Sequence, residues 1–130
     1  MKNYIYKNNQ KGIESMGYTN YYNQSADFTD KEWNQIKDEF EYIKEIAGDS
    51  IVIQSNGEKW IQFNGNPGCE SFYISKYAKT EKDYEDQDLT FHFCKTRELP
   101  YDIYVWHMLV FIMGLKRTNE KKDFEISRDR

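Results

Sequence analysis

Residues 103–115, "IYVWHMLVFIMGL", constrain this chain more than any other stretch. A membrane-spanning helix needs about 20 such residues, so this run is too short to cross a bilayer. It follows Pro100, which suits the first turn of a helix, and Asp102, an acid placed to meet the helix dipole. The expectation is a helix over residues 100–117 that is apolar on every side and must therefore be covered on every side.

At 100° per residue, Ile103, Trp106, Leu109, Val110 and Met113 share one face. Tyr104, Met108, Phe111, Ile112 and Leu115 share another. The first face is expected to lie on a sheet. The second is a candidate interface with a twofold mate or a partner protein, since large exposed apolar patches are unusual on a monomer; burial by the first helix or the N-terminal arm within one chain is the competing reading.

What covers this helix must come from the rest of the 130 residues, a length suited to one domain. "FTDKEW", residues 28–33, opens a second helix. Thr29 and Glu32 have the spacing of a capping box, and Phe28 and Trp33 that of a hydrophobic staple. Trp33, Ile36, Phe40, Ile43 and Ala47 then form a single stripe, and Gly48 ends the helix. Between the helices, residues 51–63 read as a hairpin turning at Asn56 and Gly57, with Gly57 as a left-handed bulge residue. "SFYISKY" (71–77) and "LTFHFCK" (89–95) read as third and fourth strands, separated by an acidic solvated loop, and "FEIS" (124–127) as a fifth. Residues 1–27, rich in Asn, Tyr and Gln without sustained periodicity, read as a flexible arm preceding a single domain over 28–130.

The expected fold is α+β, in the order α-β-β-β-β-α-β: a mainly antiparallel five-stranded sheet with two helices packed on one face. The core face would carry Ile51, Ile53, Ile61, Phe63, Phe72, Ile74, Leu89, Phe91, Phe93, Phe124 and Ile126. The other face would carry Trp60, Tyr73, Tyr77 and His92 beside Gln54 and Gln62, a candidate binding surface for a base or a peptide. Strand propensity alone also accounts for those aromatics, and this plainer reading is preferred.

"FCKTRELPYD", residues 93–102, is the densest polar stretch beside a helix start. Lys95, Thr96, Tyr101, Asp102 and Cys94 form a candidate anion or ligand corner, where helix N–H groups and Lys95 would hold a phosphate or carboxylate. Asp102 would already occupy those N–H groups, which favours an architectural corner. Cys94 with His92 lacks a legible orienting group, so no catalytic residue is assigned. Cys69, Cys94, His92 and His107 have no zinc-site spacing, so neither metal nor cofactor is expected.

A formal charge of −4 gives no support to binding nucleic acid or an anionic membrane. The N-terminus lacks an apolar leader, and two unspaced cysteines suit a reducing, cytoplasmic setting. The excess of Lys over Arg, with many Asn, Ile and Tyr, fits AT-rich coding, as in some parasites, endosymbionts, phages and large DNA viruses.

Taken together, Phe63-Asn64-Gly65, Glu70-Ser71-Phe72, Phe93 to Thr96 with Pro100 to Asp102, and Ser127 with Asp129 resemble an uncharacterised α+β domain family of bacteria and large DNA viruses. Arg130 stands where that family has a glycine. The resemblance implies no activity. It implies that Glu70, Lys95, Thr96, Tyr101, Asp102 and Asp129 meet at one sheet edge. The preferred function is a small non-enzymatic binding or assembly protein. An enzyme or anion binder at the 94–102 corner, and nucleic-acid stacking on the aromatic face, are the alternatives.

Overall fold

The computed structural model describes residues 18–78, 90–116 and 123–129. Its elements run β1 (Thr19–Gln24), α1 (Asp30–Ala47), β2 (Ile51–Asn56), β3 (Trp60–Gly65), β4 (Phe72–Ser75), β5 (Phe91–Lys95), α2 (Asp102–Lys116) and β6 (Phe124–Asp129). The fold is α+β, but its six strands form two antiparallel three-stranded sheets rather than one of five, ordered β5-β1-β6 and β2-β3-β4.

The strand that divides them is β1, inside the stretch expected to be an arm. It pairs with β5 and β6 at once, Tyr22 standing opposite both His92 and Ile126. Residues 1–17 lie outside the described residues, as do Leu89 and most of the acidic loop. The inward side of β1 is Asn20, Tyr22 and Gln24, all buried. Tyr22 and Gln24 reach the edge strand β4, where the Tyr22 hydroxyl donates to the Tyr73 carbonyl (2.6 Å) and Gln24 Nε2 to the Ser75 carbonyl (2.9 Å). Side chains thus join the two sheets where a backbone ladder would have made one.

α1 forms as its sequence predicts. Thr29 Oγ1 accepts from the Glu32 N–H, Glu32 Oε1 accepts from the Thr29 N–H, and Phe28 stacks on Trp33 at 6.1 Å. Gly48 closes the helix at φ 55°, donating its N–H to the Lys44 carbonyl. The buried stripe is Trp33, Ile36, Phe40, Ile43 and Ala47, and Phe40 stacks on Phe63 of β3 at 5.5 Å.

The β2–β3 hairpin is registered differently from expectation. Gly57 donates to the Trp60 carbonyl, so the loop centres on Glu58 and Lys59, and φ of Gly57 is not positive. The irregularity falls between Ile53 and Ser55 instead. Ile53 does face Phe63, yet on the edge strand it stays exposed. Ile51, Ile61, Phe63, Phe72 and Ile74 are buried as expected.

β5 and α2 are both turned relative to expectation. Phe91 and Phe93 are 46% and 55% exposed, while Cys94 is fully buried. On α2, Met108 and Ile112 are fully buried with Val105 and Leu109, whereas Ile103 (64%) and Val110 (48%) face outward. α2 packs on α1, β6 and β1, so the face first assigned to the sheet is largely the exposed one. An apolar residue at nearly every position leaves the helix no preferred side in its own sequence.

Candidate functional site

At the head of α2, Asp102 is held from three sides. Its Oδ1 accepts from Thr96 Oγ1 at 2.6 Å and from Asn20 Nδ2 at 2.9 Å, and its Oδ2 pairs with the Arg128 guanidinium. Arg128 also donates to Asn20 Oδ1 (3.2 Å) and lies 4.3 Å from the centre of the Trp106 ring. Thr96 and Asn20 are fully buried. This network ties β1, β5, β6 and α2 together. The Asp102 carboxylate takes hydrogen bonds from Thr96, Asn20 and Arg128, and its charge would repel an anion brought to the same partly buried corner.

A second cluster adjoins it. The Tyr101 hydroxyl donates to the Glu70 carbonyl at 2.6 Å and accepts from the Cys69 N–H at 3.2 Å. Glu70 Oε1 accepts from the Lys95 backbone N–H at 2.7 Å, and Cys94 Sγ–H points at the Glu70 carbonyl at 3.4 Å. Asn64 Oδ1 accepts from the Gly65 and Cys69 N–H groups. A Cβ on Gly65 would stand 2.3 Å from the Tyr101 ring, so only glycine lets that ring seat. Burial raises the Tyr101 hydroxyl above its ordinary range.

The corner therefore gathers Thr96, Tyr101, Asp102 and Cys94, with Glu70 as a linking residue. Lys95 joins only through its backbone, because alternation along β5 sends its side chain to the face of Phe91 and Phe93. Asp129 is the last residue of β6, next to Arg128 and opposite Thr19, and its carbonyl accepts from the Tyr18 N–H. Burial, followed by the nearby Glu70 carboxylate, pushes the Cys94 thiol up to about 12. At neutral pH it is protonated, and only the thiolate is a good nucleophile. His92 stacks on Tyr22 at 5.2 Å.

The other candidate sets divide between surfaces. Trp60 pairs across with Ser75, and Tyr73 with Gln62, on the outer side of β2-β3-β4; Trp60 and Tyr77 are exposed. His92 belongs to the other sheet, so the four aromatics do not form one platform. Of the candidate interface, Met108 and Ile112 are core residues, and Tyr104, Phe111 and Leu115 are partly buried against that core. His107 makes a hydrogen bond with Glu39 (2.6 Å) on the helix–helix flank. Among the described residues, no three His, Cys, Asp or Glu side chains gather as a metal site, and no helix is long and apolar enough to cross a membrane.

Sequence reasoning missed the outer face of β5-β1-β6. Tyr21 stacks on Phe91 at 6.0 Å, and Phe91 packs on Phe93 at 6.5 Å, in the open. The alternating aromatics of β5 were a visible signal, read with the opposite orientation. No family model, curated protein or solved structure matches the chain.

Proposed function

We propose that this is a small non-enzymatic binding protein that meets a protein partner through the outer face of β5-β1-β6. The observation that carries this reading is the exposure of Phe91 (46%) and Phe93 (55%) beside Tyr21. Aromatic side chains give large contact area for little conformational entropy, and clustered exposure of this kind marks interaction surfaces. The corner supports the same reading from the other side. Its hydrogen-bonding groups engage one another, and Cys94 is held as a thiol. Free Cys69 and Cys94 fit work in a reducing compartment.

Self-association is the second reading, favoured by the outward stripe of Ile103, Val110 and Met113 on α2. A stripe on one straight helix can meet its own copy about a twofold axis.

A photo-crosslinking phenylalanine analogue placed at position 93 in the source cell tests the first reading. The expected result is one discrete adduct, absent when the analogue stands at exposed Glu45. Adducts at position 110 that contain only a second copy, with none at position 93, would favour self-association through α2. No adduct at either position would sink both.

A further inference from the structure

The same outer face contains a cleft of about 220 Å³, lined chiefly by Tyr21 and Asn23 of β1, Phe91 of β5, and Glu125 and Ser127 of β6. Asn23 is its floor, standing opposite both Phe91 and Glu125 in the two ladders. Its Oδ1 is buried and has no hydrogen-bond partner. A buried acceptor without a donor destabilises the fold, and such atoms are rare in folded proteins. The remaining lining is aromatic towards β5, with the Ser127 hydroxyl and the Glu125 carboxylate towards β6. Phe91 and Tyr21 present near-parallel rings, 21° apart, and Glu125 adds an exposed carboxylate at the rim.

An amide acceptor at the floor, a carboxylate at the rim and a flat aromatic wall between them are three features that one group satisfies together. We infer that this cleft takes a guanidinium group, from an arginine side chain of the partner. Guanidinium is planar and stacks on aromatic faces. It carries several N–H donors in one plane, enough to meet the Glu125 carboxylate and, once the Asn23 amide turns outward, Asn23 Oδ1 as well. A lysine ammonium could meet either acceptor but has no plane to lay against the rings. The net charge of −4 also favours a cationic ligand. The inference rests on the proposed partner face and names what that face recognises.

The test is a titration of the isotopically labelled full chain, read at the Asn23 side-chain amide and the Phe91 ring signals. The probes are N-acetyl-arginine amide, its lysine counterpart and the neutral citrulline counterpart. Saturable shifts are expected with arginine, weaker shifts with lysine and none with citrulline. Glu125→Gln should weaken arginine binding about tenfold, the loss of one charge-assisted hydrogen bond. Asn23→Leu should abolish the shifts at the Phe91 ring and raise Tm, because it removes a buried acceptor that has no donor. Absence of saturation with arginine, equal shifts with citrulline, or a lower Tm for Asn23→Leu would overturn the site. Phe93 lies outside the cleft lining, so Phe93→Ser separates the two readings. With the photo-crosslinking analogue moved to position 95 on the same face, a Phe93→Ser chain that loses the partner adduct and keeps the arginine shifts supports both. If agmatine alone binds as tightly as the arginine amide and no adduct forms at position 93, the guanidinium site stands and the partner as its source is overturned.

Discussion

The phenolic hydroxyl of Tyr22 donates to the backbone carbonyl of Tyr73 at 2.6 Å, joining the central strand of one sheet to the edge strand of the other. The Tyr22 ring packs on Phe72 and Phe124 at the same place, and burial raises the hydroxyl above its ordinary range. Tyr22→Phe keeps the rings and leaves the carbonyl without this donor. It should destabilise the protein by about 1–2 kcal/mol, read from the urea midpoint with unchanged slope.

Lys116, at the end of α2, is buried with its Nζ 2.9 Å from Glu32 Oε1 and 3.2 Å from the Asp27 carbonyl. Its ammonium also lies 5.2 Å from the centre of the Phe28 ring. Lys116→Met keeps the aliphatic stem and removes the charge, leaving Glu32 with only the α1 cap. A loss of about 2 kcal/mol is expected in denaturant melts, below that of a wholly buried pair because Glu32 is partly solvated.

The same pair sets a pH dependence. Burial would raise the Glu32 carboxyl, but the hydrogen bonds from Lys116 and Thr29 outweigh it and hold the group below its ordinary 4.5. A depressed folded value means the unfolded chain binds more protons. The contribution is thus complete above the ordinary value and is lost as pH falls through the folded one. Melts taken from about pH 7 down to about pH 3 should show an acid limb that is shallower in Glu32→Gln.

Cys94 and Cys69 should differ sharply towards a thiol reagent. Cys69 is partly exposed and Cys94 fully buried, its pKa pushed up to about 12. In the native protein at neutral pH, one thiol should react quickly and the second only at the rate of unfolding. Cys69→Ser should abolish the fast phase. A fast phase that survives in Cys69→Ser would contradict the placement of Cys94.

On α2, substitutions should divide by face in the sense opposite to that expected from sequence. Met108→Glu and Ile112→Glu place a charge among fully buried neighbours and should unfold the chain. Ile103→Glu and Val110→Glu should leave stability within about 0.5 kcal/mol, as surface changes do. Circular dichroism and thermal melts of the four variants are sufficient.

Legibility followed the contrast within each segment. α1 carries one apolar stripe between clear start and stop residues, and its cap, staple and buried face were all readable. β3 and β4 alternate cleanly, so Ile61, Phe63, Phe72 and Ile74 were placed correctly. β5 offers Phe91 and Phe93 on one side and His92 and Cys94 on the other. Hydrophobicity pointed the phenylalanines inward, yet tertiary pairing with β1 seated Cys94 there. β1 itself, "TNYYNQ", has no apolar side at all. Its inward side chains each end in a polar group, because backbone carbonyls and a carboxylate lie at their tips even where the Tyr22 ring packs on Phe72 and Phe124, and no hydrophobic pattern can announce a strand of that kind. At the corner, the residue types and the helix start were legible; the convergence of Asn20, Glu70 and Arg128 on them depended on strands distant in sequence.

The way β1 meets β4 has a further result for life in a crowded solution. An unpaired strand edge is a template on which another chain can add, the first step towards edge-to-edge aggregation. In β4, the carbonyls of Tyr73 and Ser75 are already taken by a phenol and an amide from the same molecule. An incoming strand would have to displace both, and each lies among buried side chains. Two polar residues of β1 thereby close that edge to strangers without adding a strand to it.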